Sequence, residues 1–226
     1  MMELRAEKIS QDFLRYSAKD GYFIAVQETD FRLAAGTLTV VTGRSGSGKS
    51  TLLHILGGLM KPVTGRVLVD DVDLYTMGED ARTRLRSRHI GIVPQRLMSL
   101  AALTVRENVL LPALLAGEAE KFAPRADELM ERLGIRKLAS VTPSELSGGE
   151  LRRVTIARAL VMQPGILLTD EPTGDLDEEN TRSVLHLLRE TADAGTAVLL
   201  VTHESEARNY ADTCYTMTVG KLEKIA

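Results

Sequence analysis

Residues 43–50 read Gly43-Arg44-Ser45-Gly46-Ser47-Gly48-Lys49-Ser50, an order of glycines, lysine and hydroxyl suited to holding phosphate. Glycines let a backbone curl until successive N–H groups, here those of residues 43–51 including Arg44, Ser45, Ser47 and Thr51, point inward at phosphate oxygens. Lys49 supplies a point charge for the β- and γ-phosphates, and the Ser50 hydroxyl is a hard oxygen ligand for Mg²⁺. The pattern carries meaning only between a strand and a helix. Both neighbours are present: a β-prone run at residues 37–42 and a helical stretch predicted over residues 49–60, whose N-terminal dipole adds to the anion-binding field.

A second group follows the apolar run Ile166-Leu167-Leu168-Thr169, which ends in Asp170-Glu171. At the C-terminal edge of a parallel sheet, Asp170 would stand next to the phosphate loop, where open α/β sheets bind ligands. There it can hold Mg²⁺, while Glu171 faces the space before a γ-phosphate and can orient a water.

These groups need a scaffold, and the chain is long enough to build one. It has 226 residues, 44% of them hydrophobic, which suits one large domain, or a core with a subdomain, without disulfides. A formal net charge of −3 excludes a broadly basic nucleic-acid coat. The single cysteine, Cys214, is expected to be a buried, inert thiol. No run approaches the ~20 apolar residues that cross a bilayer, and residues 1–5 carry no apolar stretch of a secretory signal.

Strands are predicted around Phe23 and Ala25, around Phe31 and Leu33, and at residues 66–70, 90–93, 166–169, 197–202 and finally 215–219. Helices are predicted at residues 79–88, 178–194 and 204–211, and through most of 103–163. The alternation implies a mainly parallel sheet with helices on both faces, interrupted by a helical insertion. His54, His89 and His186 lack the neighbours of a metal site.

With Leu146-Ser147-Gly148-Gly149-Glu150 added, the chain resembles an ATP-binding subunit of the ABC transporter family. The resemblance implies an α/β P-loop NTPase core with an antiparallel N-terminal portion. The core would comprise residues 1–96 and 163–226, and the helical signature subdomain residues 97–162. In physical terms, Ser147 and the N–H groups of Gly148 and Gly149 open a helix and offer a second anion site. The resemblance also assigns roles. Gln95 would contact Mg²⁺ or the attacking water, residues 174–177 including Asp177 would cross a dimer interface, and His203 would bond the γ-phosphate. Tyr16 would stack on adenine, with Tyr22 and Phe23 as competitors. Asp170 and Ser50 join Gln95 around the metal, and Glu171, His203, Gln95 and Lys49 form the catalytic set.

Two residues depart from the family pattern: Leu151 where Gln or Arg is common, and Asp175 where Asn is common. An extra acid near a γ-phosphate is unfavourable unless a cation or donor offsets it. The implied protein is an ATPase using ATP and Mg²⁺. It would act as a homodimer, or with a paralogous ATPase subunit, on an integral-membrane permease, with no nucleic-acid partner. It would sit peripherally at the cytoplasmic face of the membrane. Gly57-Gly58-Leu59 with Pro62, Thr64 and Gly65 resembles the lipoprotein-releasing, macrolide-export and cell-division branch. A cell-division-type ATPase transmitting force without transport is one alternative, and a P-loop small-molecule kinase is another. The apolar residues Leu97, Met98, Leu100 and Leu103 are expected to form the groove that receives the membrane partner.

Overall fold

The computed structural model describes residues 2–14 and 21–225. In chain order it contains β1 (Leu4–Leu14), β2 (Tyr22–Leu33), β3 (Leu38–Thr42), α1 (Lys49–Leu56), β4 (Thr64–Val69), β5 (Val72–Asp73), α2 (Glu79–His89) and β6 (Ile90–Val93). There follow α3 (Val105–Leu115), α4 (Ala119–Arg132), α5 (Gly148–Leu160), β7 (Ile166–Asp170), α6 (Glu178–Asp193), β8 (Ala197–Thr202), β9 (Thr213–Thr218) and β10 (Lys221–Lys224).

Strands β3, β7 and β8 are buried along their whole length, as their runs of branched aliphatic residues demand. The larger sheet has the order β10-β9-β3-β8-β7-β6. Its strands are parallel except for the antiparallel β9–β10 pair. The smaller sheet, β2-β1-β4-β5, is antiparallel. Successive side chains of the central strands enter opposite cores, because strand side chains alternate faces. Val40, Leu167, Val198 and Leu200 pack with α3, α4, α5 and α6. Val41, Leu168, Leu199 and Val201 pack with α1 and the antiparallel sheet. The second face is therefore covered by α1, by Leu85 of α2 and by the antiparallel sheet, which is the expected antiparallel N-terminal portion.

Other local differences have local causes. Helix α1 stops at Leu56, four residues short of the expected end. Gly57 follows and Gly58 takes a left-handed φ of 69°, and the carbonyl of His54 accepts N–H bonds from both Leu59 and Met60. The stretch expected as a short helix at 204–211 forms a 3₁₀ turn at Glu206–Tyr210. The strand expected at 215–219 is β9, and one more follows it, β10, a polar edge strand whose Leu222 packs on the core half-buried.

This topology aligns the chemistry. Strands β3, β8, β7 and β6 are consecutive and parallel, so their C-terminal ends lie along one sheet edge. Residues 43–50, His203, Asp170-Glu171 and Gln95 follow those four ends in turn. In an open parallel sheet this edge is where ligands bind.

Candidate nucleotide site

The loop between β3 and α1 closes tightly on its neighbours. Gly48 has a φ of 109°, and a Cβ there would lie 1.9 Å from the Ala25 carbonyl oxygen. A Cβ on Gly43 would lie 2.4 Å from that of Met217. The Lys49 ammonium is buried under the loop and donates to the carbonyls of Gly43 (2.7 Å) and Arg44 (3.1 Å). Arg44, Ser45, Gly46, Gly48, Lys49, Ser50 and Thr51 line a cleft of about 1040 Å³ together with Gln95, Asp170, Glu171 and His203. Phe23 lines it too, while Tyr22 is exposed on β2. Tyr16 lies outside the described residues.

The two acids at the end of β7 differ in their surroundings. Asp170 is only 2% exposed, and burial raises its pKa against the Ser50 hydroxyl, with Glu171 adding to the rise and His54 and Lys49 opposing it. Its Oδ1 is buried without a hydrogen-bond partner among the described residues. A buried orphan carboxylate oxygen beside a serine hydroxyl fits a hard divalent cation such as Mg²⁺. Glu171 is clasped at Oε2 by the Thr202 hydroxyl (3.0 Å), the His203 N–H (3.3 Å) and His203 Nδ1 (2.9 Å). Its Oε1 lies 4.0 Å from Lys49 Nζ.

Ser147, Gly148 and Gly149 line a different cleft, with Arg153, Asp177 and Asn180. Ser147 caps α5 in a reciprocal box. Its N–H and hydroxyl donate to the Glu150 carboxylate (2.8 and 2.7 Å), and the Glu150 N–H donates back to its Oγ (3.3 Å). Asp177 caps α6 by accepting from the Asn180 N–H (2.8 Å). Asp175, on the loop between, lines both clefts. Within one chain, the phosphate loop and the serine–glycine turn therefore line two different clefts that meet at Asp175.

A family profile described as ABC transporter matches residues 26–174. The chain belongs to the ABC transporter family. It is an ATPase cassette with an antiparallel sheet, a mostly parallel sheet and helices, the architecture of solved ABC cassettes. The dimeric structure of MJ0796, a bacterial ABC transporter cassette, superposes with a TM-score of 0.89 at 29% identity, covering 99% of both chains. The lipoprotein-releasing system ATP-binding protein LolD of Shewanella sp. (strain MR-4) is 41% identical over 202 residues, 88% of this chain and 87% of LolD. The macrolide export ATP-binding/permease protein MacB of Salmonella typhi is 39% identical over 208 residues, 92% of this chain. The cassette spans only 32% of MacB.

Thr202, buried behind the cleft, and Arg152, which lines it, belong to no motif of the sequence. Thr202 clasps Glu171 and was detectable only as the neighbour of His203. Phe23, weighed only as a competitor to Tyr16, faces the cleft from β2. Arg152 lines the cleft from α5, and its partners lie far away in sequence. Among the described residues no three His, Cys, Asp or Glu side chains cluster as a metal centre. Cys214 is buried, as expected of an inert thiol.

Proposed function

We propose that the cassette binds ATP with Mg²⁺ between two subunits and hydrolyses it to drive an integral-membrane partner. The lipoprotein-releasing or macrolide-export class is favoured. The observation that carries this is that the two anion-binding turns of one chain line different clefts. The phosphate loop of one chain and Ser147–Gly149 of a second copy, or of a paralogous subunit, can close on one ATP from opposite sides. The dimeric MJ0796 cassette supports that arrangement, and the LolD and MacB relatives support the partner and cargo class.

In this reading Lys49 and the loop amides hold the β- and γ-phosphates, and Ser50, Asp170 and Gln95 hold the metal. Bound Mg²⁺ neutralises developing phosphate charge. Glu171 accepts a hydrogen bond from water placed for in-line attack, and His203 and Thr202 fix the carboxylate's direction. The second chain's Ser147 N-cap and glycine amides add donors at the γ-phosphate, Asp177 belongs to that interface, and Tyr16 stacks on adenine. Residues 97–162 act as the subdomain that carries the second anion site.

The partner's docking place is a groove of about 380 Å³ between β6, α3 and the end of α5, lined by Ile90, Ile92, Leu111, Leu115, Met162 and Arg158 among others. None of residues 96–103 lines it. They flank it instead, with Met98 and Leu100 exposed and Arg158 donating to the Met98 carbonyl (2.6 Å). Among the described residues no helix is long and apolar enough to cross a membrane. The cassette would therefore reach the cytoplasmic membrane face through this partner.

Glu171→Gln tests the hydrolytic reading. The substitution keeps the side chain's shape and removes its charge. Turnover is expected to fall about 100-fold or more, with ATP binding retained in a fluorescent-nucleotide titration. Near-normal turnover would refute the role of Glu171.

A further inference from the structure

Arg152 stands one turn into α5 and is only 4% exposed. A buried guanidinium is unfavourable unless it is paired and hydrogen-bonded. Its Nη1 donates to the carbonyls of Pro94 (3.2 Å) and Gln95 (3.0 Å). Its Nη2 lies 3.8 Å from the Asp175 carboxylate. Gly174 lies beside it, with a Cβ position 3.6 Å from Nη2, an ordinary van der Waals distance. Asp175 itself takes a left-handed φ of 66°, which short polar side chains tolerate better than most. One cation thus ties together the start of α5, the backbone that carries Gln95, and the loop shared by the two clefts.

We infer that Arg152 is a positioning residue coupling Gln95 and residues 174–177 to the first turn of α5, with Asp175 as its matched counter-charge. The acid at position 175 is offset by this guanidinium, which answers the electrostatic objection to an acid near the γ-phosphate. Any shift of Gln95 toward nucleotide must either carry Arg152, and with it the turn after Gly149, or break two hydrogen bonds. The same shift alters the distance to Asp175. Both anion sites of the chain are therefore linked through one side chain.

The inference rests on the hydrolytic reading given above, and the test separates the two. Steady-state hydrolysis by the full chain is measured for wild type, Arg152→Gln, Asp175→Asn and the double variant. Arg152→Gln leaves an acid unpaired, and kcat should fall about 10-fold with the ATP KM changed less than about 2-fold. The double variant replaces an ion pair by two amides and should recover to within about 3-fold of wild type. Single-variant losses that simply multiply, or that fall on KM, overturn the inference. Asp175→Lys covers the case in which Arg152→Gln does not fold, because position 175 is exposed. It sets cation against cation and should lower kcat about 10-fold, and wild-type kcat overturns the inference. Hydrogen exchange reads the same coupling without turnover. Asp175→Lys should speed exchange in residues 95–98 as well as in 174–177, and faster exchange confined to 174–177 overturns it. A wild-type chain that hydrolyses no ATP counts against the hydrolytic reading, and exchange then decides this one.

Discussion

Glu171 sits at a left-handed φ of 50°, a conformation that costs a non-glycine residue about 1–3 kcal/mol. It is held there from both sides. Its N–H donates to the Val201 carbonyl (2.8 Å), and its carboxylate is gripped by Thr202 and His203. Strain concentrated on the residue facing the phosphate loop fits a group whose direction matters more than its comfort. Gly48 is the opposite case, a residue that is permitted because it has no side chain. Gly48→Ala forces a Cβ into the Ala25 carbonyl at a φ of 109°. The expected cost is about 2–4 kcal/mol, read as a melting point lower by about 5–15 °C, with ATP binding lost. An unchanged melting curve would show that the loop has slack the geometry denies.

At the scale of elements, α5 depends on its cap. The Glu150 carboxylate is held below the usual carboxylate range by the N–H and hydroxyl of Ser147, with Arg153 assisting and partial burial opposing. A lowered folded-state pKa means the stabilisation is present above the ordinary carboxylate range and fades as pH falls through the lowered value. Glu150→Gln should therefore melt below wild type at pH 7, and the gap should narrow in acid. A gap independent of pH would contradict this. Elements were legible where one signal dominated. The uniform aliphatic runs of β3, β7 and β8 announce buried strands, and the phosphate loop is contiguous. Strand β1 hid itself, because Lys8 at a φ of 48° and repeated register shifts break its alternation. Gly65 permits that irregularity by leaving space against the carbonyls of Glu7 and Lys8. Arg152 was illegible for a different reason. Pro94, Gln95 and Asp175 meet it only once β6, α5 and the loop after β7 are folded together.

The whole molecule places its nucleotide cleft beyond the C-terminal end of β6 and its apolar groove along that strand. Gln95 follows that strand into the cleft, and Ile90 and Ile92 line the groove. Leu115, 82% exposed, lines the groove and not the cleft. Leu115→Glu should abolish co-purification with the membrane partner while leaving ATP hydrolysis within about 2-fold of wild type. Full co-purification would move the docking surface elsewhere.

In the proposed assembly each ATP is held by two chains, and complementation between damaged chains reads that out. A Ser147→Arg chain keeps its phosphate loop, and a Lys49→Ala chain keeps its serine–glycine turn. Paired, they rebuild one intact site and leave the other doubly damaged. With each chain labelled by a different fluorophore, ATP should drive energy transfer in the mixture and little between copies of either variant alone. A mixture that associates no more than the separate variants would contradict the two-chain site.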